Sequence, residues 1–376
     1  MAHELAPDIA MARQEIEQAR RLPHALAEKL RAAGLFELWL PRELGGPELH
    51  PADGVAVIEA LAMADGAVGW CTANAAVFSL LAGSLSEAVA RTIFDDHGVV
   101  AGSVNPTGRA DAAAGGFRAS GRWAYASGID HATWIVANCI VHEDGVPRRT
   151  AAGSPEMRFL FLPRTAVNVI DTWQVSGLRG TGSHDFCLED VFVAEAFTMP
   201  AFAARPLQPG VLYRVPPISL FVVALASVTL GIARAAVDAL VELAVAKTPM
   251  GSATLMRDKP VVQIQTARAE AFIRAARAHV LQAIGQQWNE IAGGATASLQ
   301  ARAGVRLATS FCAEACANAV DLVHAAAGGS AIHESGRIAR CFRDLHAATQ
   351  HIGLNATGYE MAGRVLLGLD PGTPRF

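Results

Sequence analysis

Around residue 100 the texture of this 376-residue chain changes, and near residue 209 it changes back. The first hundred residues are rich in alanine and leucine, and their apolar side chains return every three or four positions, as in "IAMARQEIEQARRLPHALAEKLRAAGLFELWLP". That period belongs to helices with one buried face, and Gly34 sits where such a helix would end. The middle of the chain is different: "GVVAGSVN", "GGFRASGRWAYAS", "WIVANCIVH", "RFLFLP" and "VNVIDTWQVSGLRGTGSHDFCLEDVFV" are short, β-branched and aromatic, and Gly, Pro and Asp separate them. These read as antiparallel strands. After the proline-rich link "ARPLQPGVLYRVPP" the helical period returns and holds almost to the end. The expected organisation is therefore α+β: a helical region over 1–100, a strand region over 101–208 and a helical bundle over 209–376.

Bulk numbers narrow the function classes. Apolar residues are 52% of the chain and charged ones 18%, which is ample for a large core. A formal net charge of −4 gives no argument for nucleic acid or for an anionic membrane surface as partner. The most apolar stretch, "ISLFVVALASVTLGIARAAVDALVELAVA", carries Arg234, Asp238 and Glu242 at helical spacing, so it reads as a buried helix and not as a membrane span. The six cysteines are scattered without a CxxC pair and read as buried free thiols. No basic segment leads into a short apolar run near the start, so the expected location is the cytoplasm.

Familiar catalytic signatures are missing. There is no HExxH, no GxSxG and no glycine fingerprint of a Rossmann or P-loop type, so neither a metal site nor a serine nucleophile is expected. His333 and Glu334 are adjacent on one element and poorly disposed to share a metal. What remains is a set of small polar residues at strand ends. Ser127 precedes Gly128 at the end of a strand, where a hydroxyl and a backbone N–H can both face a ligand. "GLRGTGSHD" (177–185) places Thr181, Gly182 and Ser183 in a glycine-rich turn whose N–H groups could approach a phosphate or a ribityl chain. Near the end, "FRDLHAATQHIGLN" (342–355) reads as helix and carries His346 and His351 with one carboxylate, Asp344. On a continuous helix the two histidines lie about 140° apart, whereas Asp344 and His351 share a face.

Four stretches in order along almost the whole chain resemble the acyl-CoA dehydrogenase superfamily: "GLFELWLPRELGG", "GGFRASGRWAYASGIDHATWI", "WQVSGLRGTGSHDFCLEDVFV" and "AAAGGSAIHESGRIARCFRD". The resemblance implies an N-terminal helical domain, a middle antiparallel β domain and a C-terminal four-helix bundle, assembled as a homotetramer, with flavin between sheet and bundle. "WAYASGIDHATW" and "RDLHAATQH" are further similar to the two-component flavin-dependent monooxygenases of this superfamily. There Trp123 stands where dehydrogenases carry a lysine, and Tyr125 to Gly128 stand for their W-I-T-N. On that resemblance Ser127 would hydrogen-bond flavin N5. Gly128, Trp134, Asn105, Thr181, Gly182 and Ser183 would contact the flavin, and Gly328 and Gly329 would meet the flavin of a neighbouring subunit.

The same resemblance gives His351 the part of orienting or deprotonating a substrate, with histidine titrating near neutral pH. Ile352 occupies the position where many relatives carry their catalytic glutamate, and isoleucine takes no proton. The implied cofactor is FAD or FMN, reduced by a separate reductase, with O₂ and a small aromatic or heteroatom-containing substrate. Two departures from the pattern stand out. Phe78 replaces a second substrate histidine, and only Arg257 and Gln263 stand near the place of the usual pyrophosphate clamp. Two other readings remain: an acyl-CoA dehydrogenase using Glu360 as its base, and a non-catalytic relative that retains only the fold.

Overall fold

The computed structural model describes residues 2–202, 204–373 and 376. Five helices come first: α1 (Ala2–Ala19), α2 (His24–Ala32), α3 (Pro51–Ala64), α4 (Gly66–Leu80) and α5 (Glu87–Phe94). Eight strands follow: β1 (Val100–Ala113), β2 (Gly116–Ala126), β3 (Trp134–Glu143), β4 (Val146–Pro147), β5 (Met157–Pro163), β6 (Asn168–Ile170), β7 (His184–Ala194) and β8 (Thr198–Pro200). The chain then returns to helix in α6 (Pro217–Ala246), α7 (Pro260–Ala292), α8 (Leu299–Ala327), α9 (Arg337–Thr349) and α10 (Thr357–Leu366).

Local chemistry sets several of these boundaries. Proline occupies the first position of α3, α6 and α7, where its missing N–H costs no helical bond. Asp65 both ends α3 and caps α4. Its backbone is extended, and its Oδ1 accepts the N–H groups of Ala67 and Val68 at 2.9 and 3.3 Å. Ser298 caps α8 by accepting from Ala301 N–H at 3.1 Å. The apolar stretch of 218–246 is the middle of the core: it forms α6, with 89% of its most apolar window buried inside the protein, against α3, α4, α8 and α9. All six cysteines are free, and five of them are buried.

The sheet runs β6-β7-β2-β1-β3-β5-β8, with β4 attached to β3. It is antiparallel at every seam but one. β1 and β3 pair in parallel, Val100 beside Trp134. The reason is topological: β1 and β2 form a hairpin, so β3, starting at the end where β2 stops and lying on the other flank of β1, runs in the direction of β1. That arrangement puts the short link 127–133, with Ser127 at its head, at the sheet end that faces α4.

Candidate functional site

The last residues of β2 leave regular strand geometry. Pairing with β7 slips between Trp123 and Ala126, and Tyr125 adopts a left-handed φ of +65°. Tyr125 thereby turns its ring outward, 66% exposed, edge-on to Trp173 at 6.2 Å. The chain then turns tightly: Ser127 N–H donates to Tyr125 C=O at 2.9 Å, and Gly128, at φ +81°, donates its N–H to Thr181 C=O at 2.8 Å. The backbone N–H expected to face a ligand is therefore spent inside the protein, whether it is that of Ser127 or of Gly128. Only the Ser127 hydroxyl, half-buried, is left on the open side.

Ser127 Oγ is held from two directions. Trp70 of α4 donates its indole N–H to it at 3.1 Å, and Ser183 Oγ lies 2.7 Å away. Ser183 Oγ is in turn 2.7 Å from Thr181 Oγ1, which donates to Leu178 C=O at 2.9 Å. The 177–183 turn bearing these hydroxyls is clamped by α9. Asp344 Oδ1 accepts Leu178 N–H at 2.6 Å, and Gly177 presses on the helix so closely that a Cβ there would stand 2.0 Å from Arg343 O. Asp344 is buried and lies 3.7 Å from Arg340, which reaches on to Asp65, the cap of α4, at 2.7 Å. Burial pushes the Asp344 carboxyl up to about 7, with the Arg340 charge and the Leu178 N–H opposing. Asp344 thus ties the turn to the bundle, a partnership with no precursor in the helix-face reading of 342–355.

α9 stops at Thr349, and His351 stands in the turn before α10, so the face relations expected for His346, Asp344 and His351 on one helix do not hold. Gly353 allows the turn: its N–H donates to His351 Nδ1 at 3.0 Å, and a Cβ there would crowd His351 and Val222 at 3.1 and 3.3 Å. Because Nδ1 accepts, the ring proton is on Nε2. The imidazole stands edge-on to Trp70 at 5.8 Å and to Phe221 of α6 at 5.4 Å. Burial, aided by the Arg306 charge, pulls its pKa down to about 4, so His351 is a neutral donor through the physiological range and does not titrate near 7 as expected. His346 faces elsewhere, with Nε2 2.9 Å from Asp321.

The structure therefore brings Ser127, Thr181, Ser183 and His351 together around Trp70. Trp70 and Phe221 are not among the residues expected at the site from the sequence. The available signal was Trp70 as a lone large aromatic in the small-residue run "DGAVGWCTANAA". Thr181, Gly182 and Ser183 are buried, and the N–H groups of Leu178, Thr181 and Gly182 bond to Asp344, Leu178 and Arg179, so this turn does not present the open row of donors expected of it. Gly128 contributes its turn geometry.

Other expected residues lie outside this cluster. Trp134 stacks on Phe197 at 5.6 Å, and Trp123 is fully buried with its N–H on Asn138 C=O at 2.8 Å. Asn105 is exposed on the irregular stretch of β1 between Ser103 and Gly108. Gly328 and Gly329 are exposed at the end of α8, with open space around them. Phe78 is buried in an apolar cluster with Leu40, Phe94 and Phe161. Arg257 is exposed, and its carbonyl accepts from Gln263. Among the described residues no group of three or more His, Cys, Asp or Glu could hold a metal.

A half-buried hydroxyl backed by two others, beside the exposed Tyr125 ring and the half-exposed Trp173, fits the edge of a flat heteroaromatic cofactor. A cleft of about 470 Å³ beside the same loop is lined by Arg20, Gln174, Val175 and Arg179. Its arginines are engaged by Asp171 and by Glu17.

Comparison with known proteins places the chain in a family. Residues 1–92 match the family described as acyl-CoA dehydrogenase, N-terminal domain, and residues 223–356 match acyl-CoA dehydrogenase, C-terminal domain. The chain is 30% identical over 362 residues to indole-3-acetate monooxygenase of Pseudomonas putida, covering 95% of this chain and 90% of that protein. It is also 30% identical to the oxygenase component of an FADH2-dependent resorcinol hydroxylase from a Rhizobium species, covering 95% and 91%. Among solved structures, XiaF from Streptomyces sp. in complex with FADH2 and glycerol superimposes with a TM-score of 0.91 at 27% identity, over 99% of this chain and 95% of that one.

Proposed function

The chain belongs to the acyl-CoA dehydrogenase superfamily, among its flavin-dependent monooxygenases, and from that premise we propose that it is the oxygenase component of a two-component system that hydroxylates a small aromatic substrate. The observation that carries this reading is the Trp70 junction, where the Ser127 hydroxyl and the neutral imidazole of His351 meet one indole. An acyl-CoA dehydrogenase needs a carboxylate base at such a place. Ile352 is 69% exposed and takes no proton, and Glu360 is exposed on α10.

In this reading Ser127 hydrogen-bonds the flavin at N5, with Gly128 setting the turn and Asn105 on the neighbouring strand. Trp134 pairs beside Val100 at the start of that strand and stacks on Phe197. Gly328 and Gly329 serve the flavin of an adjoining subunit in a homotetramer. The cofactor is FAD or FMN, handed over in reduced form by a separate reductase in the cytoplasm. When bound, the reduced flavin supplies the electrons that activate O₂. His351 donates its Nε2–H to an oxygen of substrate or dioxygen and so orients it; with Nδ1 committed to Gly353 it does not serve as a base. Trp70 and Phe221 wall the site with apolar surface and exclude water. An aromatic wall of this kind accommodates a planar substrate, and indole-3-acetate and resorcinol, for which two of the relatives are named, are planar aromatics.

The test is anaerobic loading with one equivalent of FADH2 or FMNH2, followed by mixing with oxygenated buffer. A lag before oxidised-flavin absorbance appears, relative to free reduced flavin, is the expected result. Oxidation at the free-flavin rate, with bleaching of bound oxidised FAD by acyl-CoA thioesters, would return the protein to the dehydrogenases.

A further inference from the structure

The three hydroxyls beneath Trp70 have a direction, and the carbonyl at the end of the chain determines it. Leu178 C=O carries no proton, so Thr181 Oγ1, at 2.9 Å, donates to it. A hydroxyl has one proton to give. Thr181 must then accept from Ser183 at 2.7 Å, and Ser183, its proton used, must accept from Ser127 at 2.7 Å. Ser127 also receives the Trp70 indole N–H at 3.1 Å. What Ser127 has left for a ligand is one lone pair and no proton. The anchor of the chain is firm: Leu178 C=O also accepts from Trp173 Nε1 at 3.0 Å, and Leu178 N–H is held by Asp344 at 2.6 Å.

We infer that Thr181 and Ser183 are positioning residues that make the site selective for the redox state of its flavin, by holding Ser127 as a hydrogen-bond acceptor. The inference rests on the proposed function, which puts flavin N5 at Ser127. Reduced flavin carries a proton on N5 and can donate to Ser127. Oxidised flavin has a bare lone pair on N5 that would face the lone pair of Ser127. One hydrogen bond gained in one state and an unmatched acceptor pair in the other correspond to at least about tenfold tighter binding of the reduced form. Such selectivity suits an oxygenase that must accept reduced flavin and release the oxidised product.

The experiment is anaerobic titration of the purified protein with FAD and FADH2, and with FMN and FMNH2, followed by quenching of tryptophan fluorescence. Wild-type protein should bind the reduced form at least about tenfold more tightly. Thr181→Val keeps the side chain's shape but removes the hydroxyl, so the protons of Ser183 and Ser127 are free to turn outward. The reduced-to-oxidised ratio should then fall several-fold, mainly through tighter binding of the oxidised form, and Thr181→Ser should restore it. Ser183→Ala should lower the ratio in the same way and serves if Thr181→Val fails to fold. A loss of packing alone would weaken both redox states equally. Equal affinities in the wild type, or a ratio unmoved by both Thr181→Val and Ser183→Ala, would overturn the inference. Failure of every flavin in either state to bind would instead overturn the proposed function.

Discussion

Replacing Gly177 by alanine should break the clamp between the site and the bundle. The added Cβ would stand 2.0 Å from Arg343 O, 2.4 Å from Arg343 C and 2.8 Å from Asp344 N, all of them backbone atoms of a packed helix. Ordinary contact begins near 3.4 Å, so turn and helix must separate by about 1.4 Å. The Leu178 N–H···Asp344 bond of 2.6 Å would then stretch to about 4 Å, beyond hydrogen-bond range. Losing a bond to a charged group costs about 1.5–3 kcal/mol, and overpacking adds about 1–3 kcal/mol. We therefore expect Gly177→Ala to lower unfolding stability by about 2.5–6 kcal/mol in urea or thermal melts, and to weaken flavin binding as Ser127 loses its backing. Gly304→Ala is the matching control. Gly304 lies inside α8 with nothing within 4 Å of an added Cβ, so the change should gain about 0.5–1 kcal/mol. A Gly177→Ala protein within about 0.5 kcal/mol of wild type would refute the claim that α9 and the turn are locked together.

Two further outcomes follow from charge and burial. His351, held down to about 4 against an ordinary 6.5, favours the folded state above pH 6.5 and gives up that contribution as pH falls toward 4. NMR titration should accordingly find its imidazole neutral at pH 6, and His351→Gln should flatten the loss of stability between pH 6.5 and 4. An imidazole titrating near 6.5 would remove the neutral-donor role. Arg306 is 5% exposed; among the described residues its Nε and Nη1 find no partner, and its Nη2 reaches Met361 Sδ at 3.6 Å. A buried cation with no counter-ion among the described residues is costly, so Arg306→Met should leave stability unchanged or raise it by about 1–4 kcal/mol. A large drop in the melting temperature would show that the guanidinium has an anionic partner.

Much of the architecture was legible along the chain, because its causes are local. The return of helical period after residue 209, the prolines that open α3, α6 and α7, and the aspartate that caps α4 act over a few residues, so the sequence alone determined the helix–sheet–helix order and the burial of α6. Ser127 at a strand end and the hydroxyls of the 177–183 turn were visible for the same reason. Tertiary structure decided the rest. Whether His351 continues a helix depends on Gly353 packing against Val222, and its neutrality depends on burial, neither of which a periodicity records. β1 pairs in parallel with β3 because of which flank the third strand takes, not because of its composition. The bonds that orient Ser127 join residues 57 and 56 positions apart, and the one that anchors their turn spans 166. A hydroxyl in the sequence is both donor and acceptor; only the folded chain, by supplying a carbonyl at one end and an indole at the other, decides which of the two it offers.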